Sequence, residues 1–371
     1  MKRNHWVVAA LALVAAGLAA WGAVAATAAS KRSEATKVTL QLKWVTQAQF
    51  AGYYAASAKG FYKQAGLDVK IKVGGPSITP ELVVAGKQAE FGIDWLPALL
   101  AARDKGGDLV NVAQVFTRSG MTELTWRDSG ITSIAKMRGK KVGVWCCGNE
   151  NELYAALVKN GIDPKNPKDI TIVNQPFNMD LLLQRQVDAA AAKTYNELAQ
   201  VLETKNPKTG QLYTLKDLNV ITMEKAGTGM LEDGIFVRGD WLKDKANQET
   251  TRKFLEASFR GWVYCRDHRV ECTTIVLKNG SLLGKGHQTW QMNEINALIW
   301  PVKQGVGVMD KAAYARTAKI AKQFGVIKKA ASGAYVDTYA KQAVARLKQQ
   351  GVDVNGTKWK KAVVKVTPGG K

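Results

Sequence analysis

Histidine is scarce in this chain: three in 371 residues, at His5, His268 and His287, none of them at the end of a strand pattern. Chemistry built on a histidine base, or on a histidine-rich zinc site, therefore lacks its material. Cysteine is nearly as scarce, with four. None precedes Cys146, so no lipoprotein attachment site follows the N-terminal apolar run. Cys146 and Cys147 are adjacent and are either two thiols or a strained vicinal bridge. Cys265 and Cys272 enclose the polar turn RDHRVE, where a disulfide would pin one helix end to the next helix start. Neither pair has the spacing of a metal site. No G-x-x-x-x-G-K-[ST] is present, which excludes a P-loop. There is no repeat of solenoid period and no low-complexity linker. Acidic side chains are also few, 31 Asp+Glu against 53 Lys+Arg, a formal charge of +22. A nucleic-acid partner would need those cations clustered among aromatics. They are scattered instead, with short runs only at Arg138-Gly139-Lys140-Lys141 and Lys358-Trp359-Lys360-Lys361, so no nucleic-acid partner is expected.

One long hydrophobic run is present, at the N-terminus. Lys2 and Arg3 precede an uncharged stretch from Asn4 to Ser30, apolar at its centre and rich in small residues at its exit. This is the layout of a secretory signal, with Ala26-Thr27-Ala28 or Ala23-Val24-Ala25 as the cleavage site. Roughly twenty apolar residues can also cross a bilayer, which keeps an uncleaved anchor open. Residues 1–30 are thus a signal peptide or N-terminal anchor, and the rest is expected outside the cytoplasm, periplasmic or extracellular.

The remainder alternates strands with helices, the rhythm of an α/β protein with parallel sheets. Val38, Leu40 and Leu42 alternate with Thr39, Gln41 and Lys43, the period of a half-buried strand. That strand ends in Trp44, a polar loop containing Gln49, and a helix start crowded with Phe50, Tyr53 and Tyr54. Ligands in open α/β sheets bind outside the carboxyl ends of strands. Trp44, Gln49 and Tyr53 are therefore candidates for a site, with ordinary core packing as the other reading of the aromatics. A second strand ends at Asp94 and Trp95; Asp94 is either a ligand acceptor or the cap of the following helix. A third ends at Trp145, before a tight loop carrying Asn149 and Glu150. A fourth, Val187 to Ala192, leads to Tyr195, Asn196 and Glu197. Tyr195 can stack on a flat ring, while Asn196 and Glu197 offer an amide and a carboxylate to ring nitrogens. Thr122 to Trp126 reads as the exit from the first lobe. Glu224 to Asp233 reads as the return, with Gly229, Glu232 and Asp233 facing the cleft. The expected division is lobe one at 37–127 plus 228–350, lobe two at 128–227, and a loosely ordered basic tail at 351–371.

The stretch LxWxxxxxFAGYYxAxxKGFYKxxGLDVxI resembles the first βα unit of the thiamine-pyrimidine-synthase-like (SsuA/THI5-like) family of solute-binding proteins. The resemblance covers about residues 37 to 345. It implies a type II periplasmic-binding-protein fold, two α/β lobes joined by two crossover strands around a ligand cleft. It also implies a role in ABC import of pyrimidine precursors, riboflavin or related compounds, with a membrane permease as partner. The family places a ligand loop at GKKVGVWxxGNE, matched by Trp145, Asn149 and Glu150, and a second motif at Tyr195-Asn196-Glu197. Aromatic faces can sandwich a planar ring while a few polar groups orient it. A flat nitrogen heterocycle is therefore the expected ligand, bound by a monomer without a resident cofactor or metal. Eukaryotic relatives are synthases that use a pyridoxal phosphate lysine and a nearby histidine. Here Asp94 and Ala98 hold those positions, and Gly229-Met230-Leu231-Glu232 replaces the synthase cysteine cluster. Such an enzyme is the alternative; a binder of another small solute, such as a sulfonate, is a second, and a secreted adhesin a third.

Overall fold

The computed structural model describes residues 34–371 except Cys147 and Ser281. The expected leader at 1–30 and Cys147 lie outside the described residues; Cys146 is disulfide-bonded. Ten strands are described: β1 Thr36–Gln41, β2 Leu67–Lys72, β3 Phe91–Trp95, β4 Leu109–Gln114, β5 Met121–Trp126, β6 Lys141–Val144, β7 Thr171–Asn174, β8 Ala189–Lys193, β9 Leu218–Thr222 and β10 Asp233–Arg238. They form two five-stranded sheets, ordered β2-β1-β3-β10-β4 and β7-β6-β8-β5-β9. The β1, β2 and β3 pairings are parallel, as are those of β6 with β7 and β8. Their central strands, FGIDW in β3 and AAAAK in β8, are buried along their whole length, because both faces are covered by other chain.

The odd strand in each sheet arrives from the other half of the chain. β10 runs antiparallel between β3 and β4, and β5 runs antiparallel between β8 and β9. The two crossings therefore lie between β4 and β5 and between β9 and β10. This corrects one expectation. Met121–Trp126 does not close lobe one at residue 127; it is hydrogen-bonded into the second sheet. An extended run such as MTELTW carries no local mark of which sheet it will join.

Among the described residues thirteen α-helices accompany the sheets: α1 Ala51–Ala58, α2 Phe61–Gln64, α3 Pro80–Ala85, α4 Leu96–Asp104, α5 Asn151–Lys159, α6 Asp180–Leu183, α7 Glu197–Leu202, α8 Met223–Ala226, α9 Lys245–Asp267, α10 Arg269–Lys278, α11 Lys285–Ile299, α12 Lys311–Gln323 and α13 Thr338–Gln349. Where α1 meets α9, a Cβ on Gly261 would collide with the Gly52 carbonyl oxygen, so the two backbones touch only because glycine is there. Tyr53 and Trp262 meet edge to face beside that contact, with ring centroids 5.5 Å apart. The Cys265–Cys272 disulfide joins the end of α9 to α10, Cα to Cα 5.2 Å.

The C-terminal stretch is packed, contrary to the expectation of a loose tail. Val306 N–H donates to the Val354 carbonyl at 2.9 Å, and Asn293 exchanges hydrogen bonds with Ala362 at 2.9 and 3.0 Å. The half-exposed Lys361 pairs with the buried Glu294 at 2.5 Å, and Gly369 N–H donates to the Glu203 carbonyl at 2.9 Å. The tail is short of apolar residues, so its docking through backbone groups left little pattern to read.

One buried group stands apart. Glu123, in the middle of β5, is fully buried, and neither of its carboxyl oxygens has a protein partner. Burial raises its pKa well above the ordinary value of 4.5.

Candidate functional site

Four strand ends point into one space between the sheets. β1 delivers Lys43, Trp44, Gln47 and Gln49; β3 delivers Trp95; the loop after β6 delivers Trp145 and Asn149; β8 delivers Lys193, Tyr195, Asn196 and Glu197. Together they line a cleft holding about 310 Å³ of atom-free space. Trp44 lies 6.5 Å from Trp145, edge to face, and stacks at 6.3 Å on Phe177 with planes 12° apart. Trp145 is fixed by its Nε1–H, which donates to the Pro176 carbonyl at 3.0 Å. Tyr195 packs its edge on Phe116 at 6.3 Å. Trp290 Nε1–H donates to the Thr194 carbonyl at 3.1 Å and so ties α11 to this strand end.

Beneath the aromatic rim lies a buried ionic layer. Lys43 Nζ is 3.0 Å from Asp94, and Lys193 Nζ is 2.7 Å from Glu232. Both ammonium groups also lie over the Trp95 ring, 5.2 and 3.7 Å from its centroid, a cation–π arrangement strengthened by desolvation. Trp95 Nε1–H donates to Asp233 at 2.9 Å, and Gln49 Nε2 donates to the same carboxylate at 2.9 Å. Gln47 in turn donates to Gln49 at 2.6 Å. Burial opposes the charge of Lys43, yet Asp94 and Glu81 outweigh it and raise its pKa. Burial, aided by Glu232 and Asp94, pushes Asp233 up to about 7 although Gln49 and Lys193 hold it back. Burial also pushes Glu197 up to about 7, against the Lys193 backbone N–H that it accepts at 2.9 Å. Each lysine is thus neutralised before a ligand arrives, while two carboxyls sit near the middle of the physiological range.

Two polar atoms on the cleft wall have no protein partner although buried: the indole N–H of Trp44 and Oε1 of Gln47. Buried donors and acceptors are ordinarily satisfied, so these mark a place where hydrogen bonds are completed by something other than this chain.

Of the residues singled out from sequence, Trp44, Gln49, Trp95, Trp145, Asn149, Tyr195, Asn196 and Glu197 are brought together on the cleft. Asp94 lies just below it; its carboxylate accepts from Trp95 N–H at 2.7 Å and pairs with Lys43, and the helix cap position belongs to Trp95. Glu232 lies behind the wall, held by Lys193 and by Gly120 N–H at 2.7 Å. Tyr53 does not reach the cleft: helical phase turns it into the core against Trp262. Glu150 does not line it either and accepts from Gly148 N–H at 2.9 Å, bracing its own loop. Sequence reading passed over Lys43, Gln47 and Lys193. A charged residue ending an otherwise apolar strand, as Lys193 ends AAAAK, was the available signal.

This architecture, two sheets of β-α units joined by two crossings with the site between them, is that of a type II periplasmic binding protein. Solved structures agree: the alkanesulfonate-binding protein SsuA from Xanthomonas axonopodis pv. citri bound to MOPS superposes with a TM-score of 0.61 at 16% identity, covering 82% of this chain and 100% of that one. The periplasmic nitrate-binding protein NrtA from Synechocystis PCC 6803 gives 0.63 at 14% identity, covering 88% and 93%. At those identities the likeness is one of fold. The chain belongs to the NMT1/THI5 like family, whose pattern matches residues 47–272. Among curated relatives, a Haemophilus influenzae protein named for thiamine biosynthesis is 29% identical over 168 residues, 44% of this chain and 52% of that protein. The 4-amino-5-hydroxymethyl-2-methylpyrimidine phosphate synthase THI11 of Saccharomyces cerevisiae is 26% identical over 227 residues, 60% and 64%. The riboflavin-binding protein RibY of Chloroflexus aurantiacus is 24% identical over 242 residues, 64% of each. The chain thus spans between half and two-thirds of the length of these relatives.

Proposed function

We propose that this chain is the extracytoplasmic solute-binding component of an ABC importer and holds a flat nitrogen heterocycle between its lobes. The observation that carries the reading is the cleft wall itself: Trp44, Trp145 and Tyr195 around a space edged by the unpartnered Trp44 N–H and Gln47 Oε1. Aromatic faces supply the stacking area, and Asn149, Asn196 and Glu197 supply in-plane hydrogen bonds. This wall suits a flat ring system such as a thiamine pyrimidine precursor or a riboflavin-like heterocycle. A sulfonate suits it less, because both lysines are already paired and Glu197 stands where an anion would lie. Closure of the lobes on the ligand would present the closed form to a membrane permease, driven by the ligand's higher affinity for that form.

The synthase relatives favour a second reading, an enzyme of pyrimidine synthesis. Against it, the position expected to carry the reactive lysine is Asp94, bound to Lys43, and the expected histidine is Ala98. A thermal-shift screen against aminopyrimidines, riboflavin, thiamine, polyamines and sulfonates tests the proposal. Stabilisation by a flat heterocycle is the expected result. A response to sulfonates or polyamines alone would overturn it.

A further inference from the structure

Behind the cleft wall, a line of buried side chains runs from the pocket to the C-terminus of the chain. Glu197 Oε1 lies 2.5 Å from Asn196 Nδ2, and Asn196 Oδ1 lies 2.9 Å from His287 Nε2 on α11. His287 Nδ1 lies 2.9 and 3.0 Å from the two carboxyl oxygens of Glu203. All four residues are buried. The turn Pro368–Gly370 closes the far end: a Cβ on Gly370 would stand 2.8 Å from the His287 Cβ and 2.9 Å from Glu203 Oε2.

The donors in this line are interdependent. Glu197 Oε2 accepts from Lys193 N–H, which can only donate. If Asn196 donates its amide N–H to Oε1, its carbonyl faces His287, and the imidazole must donate from Nε2. Glu203 requires a donor at Nδ1 as well. Both nitrogens then carry protons, and the imidazolium charge lies between two buried carboxylates. The titratable groups that the geometry sets against His287 are Glu203, in direct contact, and Glu197, reached through Asn196. Among the described residues, His287 is the basic side chain that pairs with Glu203, and an unpaired buried carboxylate would be costly.

We propose that His287, which does not touch the cleft, is a positioning residue that determines specificity. By donating from both ring nitrogens it fixes the Asn196 amide and leaves Glu197 facing the ligand as a bare carboxylate. A bare carboxylate selects a ligand edge with two adjacent donors, as in an amidine or an aminopyrimidine protonated at the ring nitrogen. It rejects an edge led by carbonyl acceptors, as in a pyrimidinone or the imide of a flavin. The opposite arrangement, a Glu197 O–H donating to a turned Asn196 amide and a Nε2 without hydrogen, would select the reverse. The proposal rests on the solute-binding reading above.

Long-range 1H–15N spectra of the labelled, ligand-free protein decide between the two states. With three histidines in the chain, His→Gln substitutions assign the signals. At about pH 7 both His287 nitrogens are expected to be protonated; a Nε2 without a proton overturns the proposal. In calorimetry with 4-amino-5-hydroxymethyl-2-methylpyrimidine, His287→Leu is expected to weaken binding about tenfold or more, and His287→Gln, which keeps an N–H near Nε2, by about threefold at most. Equal losses in the two variants would also overturn it. A wild-type protein that binds no aminopyrimidine would refute the reading of the cleft, while the imidazole spectrum would still decide the state of His287.

Discussion

Replacing Glu123 with methionine should stabilise the protein, and by an amount that grows with pH. Glu123 is fully buried on β5 with no partner for either oxygen, so the folded state keeps its carboxyl protonated while the unfolded chain ionises above the ordinary value of 4.5. The unfolded state then binds fewer protons than the folded one, and stability falls as pH rises, by about 1.4 kcal/mol per pH unit. The contribution is whole below about pH 4.5 and is lost progressively above it, until the raised folded pKa is reached. Methionine has a similar shape and cannot ionise, so Glu123→Met removes this slope. Its gain over wild type should therefore grow above about pH 4.5 by about 1.4 kcal/mol per pH unit while the folded carboxyl stays protonated, on top of about 1–3 kcal/mol for no longer burying an unpaired polar group. Urea unfolding of both proteins across that range measures the difference. Other groups with raised pKa, Asp233, Glu197 and Glu152 among them, titrate alike in both proteins and cancel. A difference that stays flat with pH would refute the reasoning, because it would mean that Glu123 is ionised and partnered in the folded state.

Trp44→Ala and Tyr195→Ala should each weaken ligand binding about tenfold or more, roughly 1.4 kcal/mol, without unfolding the protein; unchanged affinity in both, by calorimetry, would remove the stacking model. Lys193→Met should cost about 3–5 kcal/mol of stability, because it strands the buried Glu232 carboxylate, and Lys193→Met combined with Glu232→Gln should recover part of that loss in thermal denaturation. Replacing Cys265 and Cys272 by serine opens a short loop, a sequence separation of 7. The entropic cost should be about 2–3 kcal/mol, visible as a lowered unfolding midpoint.

What could be read from sequence was whatever the chain writes locally. Period-two runs ending in aromatics located the strand tips, and strand tips in an α/β sheet are where a cleft forms, so Trp44, Trp95, Trp145 and Tyr195 were found. Phase along a short helix start is harder to fix. Tyr53 lies a few residues beyond Trp44 yet points the other way, onto Trp262. Partners across the sheet were invisible: nothing around Lys43 announces Asp94, and nothing around Lys193 announces Glu232. The helix α12 carries a weak hydrophobic signal because its buried face is mostly alanine and threonine. His287 was set aside for want of a motif, since its partners Glu203 and Asn196 come from the other lobe.

The exchange of strands between the sheets has a consequence for how the protein comes into being. The slot between β3 and β4 stays empty until Asp233–Arg238 has been synthesised, since β10 is the strand that fills it. A nascent chain that has made only the first lobe holds two raw strand edges with no neighbour. Such edges invite pairing with other chains, and assembly dominated by distant contacts is slow. The younger half of the molecule thus acts as the keystone of the older half, and a truncation anywhere before residue 233 should yield aggregates rather than a smaller folded domain.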